Sequence, residues 1–275
     1  AGEENPLDLS RFDPRVVALS RESEQFYRQL NIWPSVLETR TCAYTDMHVW
    51  DGDGTGEIHF NAQDIHADHL GHIVENVVLV NAIQQQLSRL PNVEQEYGVK
   101  VTEYLDGEES AVLILNNGQR INGKIVVAAD GARSSLRELA NISTREWDYG
   151  HSAIVTTITT EKPHEFTAWQ RFTIDGPIAF LPLSENSDQQ RCSLVWSVTR
   201  EKADEIMLLD DQDFCDALSK VFEYRLGNVT HCDSRKCFPL FQRHATQYSQ
   251  GRMVLVGYAA HLIHPLAGQG ANLGW

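Results

Sequence analysis

The sequence predicts a mixed α/β and α+β chain of two domains, one a layered α/β unit and the other an antiparallel β-sheet. Two short runs, IVVAA at 125–129 and MVLVG at 253–257, have the all-apolar character of strands buried in layered α/β sheets. Between them, AIVTTITT, AWQRFTI, IAFLPL and CSLVWSV are rich in β-branched and aromatic residues, and Pro, Gly, Asn, Asp and Ser separate them. That is the pattern of an antiparallel sheet. The α/β character stops, gives way to a sheet and returns. The first domain is therefore expected to be discontinuous, with residues 1–40, 71–140 and 250–275 set against 41–70 and 141–249 for the sheet domain.

Each element has its own signal. Ser20 can cap a helix running to about Leu30, with Phe26 and Leu30 on one face and Asn31 at the exit. Residues 41–60 alternate in the β manner around the turn Asp51-Gly52-Asp53-Gly54. Ile73, Val77, Val80, Ile83, Leu87 and Leu90 recur at helical spacing and predict one face of a helix. A strand is expected near Val99–Tyr104, then a hairpin turning at Asn117-Gly118. Residues 201–225 read as helical, with Ile206, Phe214, Leu218 and Phe222 as core. Trp169, Phe172, Phe180 and Trp196 are expected mostly in the core of the sheet.

A net charge of −15 disfavours nucleic acid and anionic membrane surfaces as partners. No run of about eighteen apolar residues offers a transmembrane helix. The start lacks the basic region and apolar stretch of a signal peptide. Cys42, Cys192, Cys215, Cys232 and Cys237 are odd in number and scattered, as expected of free thiols in a reducing compartment. No metal site is expected. His231 with Cys232 and Cys237 lacks a second ligand pair, and His261 with His264 lacks a third ligand. No Gly-x-Ser-x-Gly elbow supports a hydrolase.

The chemistry-bearing stretch is MVLVG followed by HPLAGQGANLG at 264–274. A strand that enters a glycine loop and then a helix gathers free backbone N–H donors, which with the helix dipole stabilise negative charge. Glycines let a flat or charged ligand come close to the backbone. A bare Gly-x-Gly would merely start a helix; the longer string is more specific. Asn272 is placed to bond a ligand edge. Asp130, after IVVAA, reads by itself as a turn-former.

VLVGYAAHLIHPLAGQGANLG at 254–274 resembles the FAD-binding signature of the aromatic-ring hydroxylases, in the ubiquinone-biosynthesis branch. AADGARSSLR at 128–137 resembles a second motif of that family. PRVVALS at 14–20, LNIW at 30–33, GHIVEN at 71–76 and the FLPL and LVWSV strands are similar to the same branch. The resemblance implies an FAD-dependent monooxygenase that uses NADH or NADPH and O₂ to hydroxylate a prenylated phenol through a C4a-hydroperoxyflavin. Its fold would be an FAD-binding, doubly wound-type domain with an antiparallel β-sheet substrate domain. One face of that sheet would roof an apolar pocket.

The resemblance further implies Pro265, Gly268 and Gln269 at the reactive flavin. Arg15, Asp130, Gly131, Arg137, Gly257, Tyr258, Gly270, Ala271 and Asn272 would join Pro265, Gly268 and Gln269 around FAD. It implies a cytoplasmic protein, with peripheral contact at the inner membrane or in a ubiquinone-biosynthesis complex. Two departures stand out. The family's opening Gly-x-Gly-x-x-Gly unit and the residues after its last helix turn are expected to lie outside this sequence. Tyr258 stands where the family carries an Asp that accepts hydrogen bonds from FAD. The alternatives are a hydroxylase of another small phenol, or a non-catalytic fragment unable to hold FAD.

Overall fold

The computed structural model describes residues 8–184, 189–263 and 270–274. In chain order the elements are β1 (Val16–Ser20), α1 (Arg21–Gln29), α2 (Trp33–Thr39), β2 (Thr41–Tyr44), β3 (Asp46–Asp51), β4 (Glu57–Asn61), β5 (Gly71–Glu75), α3 (Asn76–Leu87), β6 (Val101–Leu105), β7 (Ala111–Leu115), β8 (Arg120–Gly123), β9 (Val126–Ala128) and α4 (Ser135–Leu139). There follow β10 (Thr144–Thr160), β11 (Thr167–Thr173), β12 (Gly176–Pro182), β13 (Arg191–Thr199), α5 (Arg200–Met207), α6 (Asp211–Val221), β14 (Val229–Cys232), β15 (Lys236–Ala245), β16 (Ser249–Gln250), β17 (Met253–Leu255) and β18 (His261–Leu262).

The β-branched and aromatic segments build the dominant sheet, in the order β18-β15-β10-β13-β12-β11-β3-β4, with β14 also on β10. Its pairings are antiparallel except β11 with β3. One face carries α5 and α6. Ile206, Phe214, Leu218 and Phe222 are buried there against Ile154, Ile158, Ile178, Phe180, Leu194 and Trp196. Phe222 stacks on Phe180 with ring centroids 3.6 Å apart. Phe172 departs from the expected core: it is exposed at the far end of β11.

Three small sheets hold the rest: β1-β5-β2, β16-β17-β9 and β6-β7-β8. Ser20 caps α1 by accepting from the Ser23 N–H at 3.3 Å, and Asn31 takes the left-handed conformation at the exit. The face of α1 differs from expectation. Phe26 and Leu30 are exposed, and Ser23, Glu24 and Tyr27 are buried. The stripe beginning at Ile73 is also corrected. Residues 71–75 are a buried strand between β1 and β2, and the helix begins at Asn76. That helix buries Val78, Leu79 and Ala82, while Val77 and Val80 turn toward a cavity. The apolar run 125–129 is not covered on both faces: Val126 and Ala128 are buried, and Ile125 and Val127 are exposed.

The five cysteines are free thiols, four of them buried. A buried ion pair fixes the start of the chain. Arg40 donates to both carboxylate oxygens of Glu75 at 2.6 and 2.8 Å, and to the carbonyls of Leu9 and Arg11. Phe222→Ala is expected to remove the ring under the large sheet and lower stability by about 3–5 kcal/mol, read from the urea midpoint at unchanged m-value.

Candidate functional site

The site is set by two parallel strands. β9 and β17 pair as Val126–Met253, Val127–Val254 and Ala128–Leu255, and the Val256 N–H donates to the Ala128 carbonyl at 3.0 Å. Each strand ends in a glycine turn, Asp130-Gly131 and Gly257-Tyr258, so the two turns lie together at the carboxyl ends. Ligands of open α/β sheets bind at such ends. Gly131 has φ +84° and Gly257 φ +54°, conformations that side-chain-bearing residues rarely adopt. A Cβ built on either meets nothing within 4 Å. Both turns therefore present bare backbone to open space, and a flat ring or an anion can approach them. That geometry fits a cofactor held through backbone N–H groups.

The turns are fixed by side chains. Asp130 accepts from the Leu136 N–H at 3.1 Å and the Ser135 hydroxyl at 3.4 Å, so its carboxylate holds the start of α4. Arg137 is buried. Its guanidinium donates to the Ala259 carbonyl at 2.9 Å and the Ala132 carbonyl at 3.3 Å, which staples one glycine turn to the other. Arg243 donates to the same Ala132 carbonyl and to Glu146.

The carboxy-terminal residues close the arrangement. The Asn272 amide donates to the Ala18 carbonyl at 2.8 Å, and its oxygen accepts from the Ser20 N–H at 3.1 Å and the Ser23 hydroxyl at 2.8 Å. Asn272 thereby anchors the turn to the β1–α1 junction. Ala271 packs on the core formed by α1, α2 and α3. A Cβ at Gly274 would lie 3.7 Å from the Gly257 Cα, and one at Gly270 would come within 2.5 Å of the Tyr258 hydroxyl. Tyr258 thus lies over Gly270. It is half-exposed, and burial raises its phenol pKa above the ordinary tyrosine value, so it is neutral. Pro265, Gly268 and Gln269, together with His264, lie outside the described residues.

Arg15 is not beside these turns. It precedes β1 at the end opposite Ser20, and its carbonyl accepts from the Asn76 N–H at 2.9 Å. Along β1 it lies roughly 10–16 Å from the Asn272 contacts at Ala18 and Ser20. Its half-exposed side chain lines a cavity of about 660 Å³ with Arg11, Asn76, Val77, Asn81 and Gln84. Thr157, Asp233, Ser234 and Lys236 form the other wall, so the large sheet contributes polar groups to this cavity rather than an apolar roof. Sequence reasoning missed Ser23 and Arg243. The signal for Ser23 was present, because Ser20-x-x-Ser23 opens a capped helix.

A family model described as FAD binding domain matches residues 72–275. The chain is 33% identical to the mitochondrial ubiquinone biosynthesis monooxygenase COQ6 of Danio rerio, across 100% of this chain and 65% of the relative. It is 36% identical to the 3-demethoxyubiquinol 3-hydroxylase of Escherichia coli, across 97% of this chain and 66% of that protein. The chain therefore spans about two thirds of the length of these curated relatives. Among solved structures, Pseudomonas aeruginosa PqsL in complex with 2-aminobenzoylacetate matches in fold with a TM-score of 0.81 at 20% identity, across 94% of this chain and 72% of that one.

Arg137→Met should leave the Ala259 carbonyl unpaired and the Ala132 carbonyl held by Arg243 alone. The expected loss is about 1–3 kcal/mol, with faster amide exchange confined to 131–133 and 257–259. Hydrogen-exchange mass spectrometry reads both loops at once.

Proposed function

The chain belongs to the FAD-binding family of aromatic-ring hydroxylases, and we propose that it forms the flavin-cradling part of a monooxygenase that hydroxylates a prenylated phenol in ubiquinone biosynthesis. The observation that carries this reading is the pair of left-handed glycine turns, Gly131 and Gly257, side by side over open space at the ends of β9 and β17. Bound FAD would carry electrons from NADH or NADPH to O₂, so that one oxygen atom enters the ring and the other leaves as water.

The chain's own residues supply position and polarity. Backbone N–H groups at the two glycine turns are the donors available to an electron-rich ring edge. Arg137 keeps those turns in register, and Asn272 fixes the carboxy-terminal turn against α1. Arg15 offers a guanidinium, roughly 10–16 Å from the Asn272 contacts, to the pyrophosphate of an extended dinucleotide, which needs a cation. The ubiquinone-biosynthesis activities of the relatives favour a ubiquinone precursor over another small phenol. A prenylated substrate partitions into lipid, so we place the protein in the cytoplasm, peripheral to the inner membrane. No described helix is long and apolar enough to cross a membrane.

One feature favours a second reading, a fold that does not hold FAD. Tyr258 gives this turn a neutral phenol in contact with the Gly270 turn, where a carboxylate would accept hydrogen bonds from sugar-like hydroxyls. Titration of the purified protein with FAD, followed by flavin fluorescence and absorbance, separates the two. Saturable binding is expected, about tenfold tighter in Tyr258→Asp (~1.4 kcal/mol). A protein that neither quenches nor shifts the flavin, in both forms, overturns the hydroxylase reading. Equal affinities of the two forms would remove position 258 from the cradle. With NADPH, O₂ and a prenylated phenol, mass spectrometry should show a product heavier by one oxygen atom.

A further inference from the structure

Glu24, His69 and His72 converge where α1, the loop before β5 and β5 itself meet. One ligand atom from each lies within 4.8 Å of the others. Glu24 Oε2 is 2.8 Å from His69 Nε2 and 3.2 Å from His72 Nδ1. The two imidazoles pack edge to face, with centroids 4.5 Å apart. His72 is only 6% exposed, and its Nδ1 has no hydrogen-bond partner, because the Glu24 oxygen lies off its bonding direction.

A buried ring nitrogen left without a partner is costly, and something must compensate it. In the neutral tautomer with the proton on Nε2, the buried Nδ1 of His72 presents its lone pair to an ion. Burial alone would raise the Glu24 carboxyl, but hydrogen bonds from Arg28 and His69 outweigh it and keep the group ionised. Arg28 binds the other oxygen, Oε1, at 2.6 and 3.0 Å, which turns Oε2 toward the histidines.

We propose that Glu24, His69 and His72 form a binding site for a divalent first-row transition metal, with zinc the cation that two imidazoles and one carboxylate suit best. A tetrahedral ion with ordinary zinc–ligand distances sets its ligand atoms about 3.3 Å apart. The Glu24–His72 pair already has that spacing, the Glu24–His69 pair would open by about half an ångström, and the His69–His72 pair, within 4.8 Å, would settle to the same distance. His69 is the most exposed of the three, with 21% of its side chain open, so a water can complete the coordination. The site is separate from the glycine turns, yet it touches them through one helix turn: Ser23, next to Glu24, holds Asn272. An ion there would stiffen the element that grips the carboxy-terminal segment. Spacing along the sequence does not suggest the set, because 45 positions separate Glu24 from His69.

The test is a Co²⁺ titration of chelator-treated protein, followed by competition with Zn²⁺. Absorption bands of low-coordinate Co²⁺ should saturate at one equivalent per chain and vanish as Zn²⁺ displaces it, and Zn²⁺ should raise the melting temperature. His69→Ala should weaken Co²⁺ binding roughly tenfold or more. His59→Ala and His231→Ala, which alter exposed histidines elsewhere, should leave it unchanged. Should His69→Ala fail to fold by circular dichroism, His69→Leu, which keeps the side-chain bulk, takes its place. Absence of saturable Co²⁺ absorption in the parent protein, or the same affinity in a folded His69 variant, overturns the assignment.

Discussion

The parallel pairing of β9 with β17 is the constraint on which the rest depends. It joins Val126 to Met253, 127 positions apart in the sequence, and strands β10 to β15 of the large sheet lie between them in the chain. Three residue pairs are a small area on their own. The inward side chains Val126, Ala128, Met253 and Leu255 add a buried cluster with Leu136 from α4 and Ala111 from β7. Arg137 and Arg243 then convert strand register into loop register, because both donate to the Ala132 carbonyl. Slippage in the pairing would part the two glycine turns.

Much of this was legible in the residues. β-branched and aromatic composition between breaks of Pro, Gly, Asn, Asp and Ser identifies β10 to β13, because such side chains fit a pleated, packed surface. The Ser20 cap, the Asn117-Gly118 hairpin turn and the two glycine turns were legible for a related reason. Each rests on a backbone conformation that few residue types support. The readings that failed rest on apolar spacing alone. Ile73 fits the helical period of Val77 and Val80, yet GHIVE is a strand, and a β-branched stretch before a helix carries both periods at once. In IVVAA the apolar residues do not say whether a second layer covers them, and Val127 is exposed.

Polar residues were harder to place than apolar ones, and the reason is physical. Asn272 and Arg15 have the hydrogen-bonding capacity expected of a ligand contact, but residue type fixes capacity and not direction. Asn272 donates to Ala18 and accepts from Ser20 and Ser23, so it positions the carboxy-terminal turn against the β1–α1 junction. Glu24 shows the same ambiguity inside a helix. Its neighbours Phe26 and Leu30 look like the buried face, but Glu24 is buried because Arg28 and His69 satisfy its charge. A helix face is selected by what its opposing surface can pair, and that surface belongs to residues far along the chain.

The balance of donors and acceptors around the glycine turns narrows what they can hold. Backbone N–H groups and the half-exposed Arg15 are donors, while the nearest carboxylate, Asp130, is engaged with the start of α4. Tyr258, neutral and half-exposed, adds a hydroxyl that donates as readily as it accepts. Such a surface favours a ligand rich in carbonyls, phosphates or delocalised negative charge over one rich in hydroxyl donors. A reduced flavin ring and its pyrophosphate satisfy that condition, and the ribityl chain between them satisfies it least. Gly270 is bound into the same logic. It must lack a side chain because the Tyr258 hydroxyl occupies the space a Cβ would need, so an exchange of the phenol for a short carboxylate changes both the chemistry of the turn and the volume above Gly270.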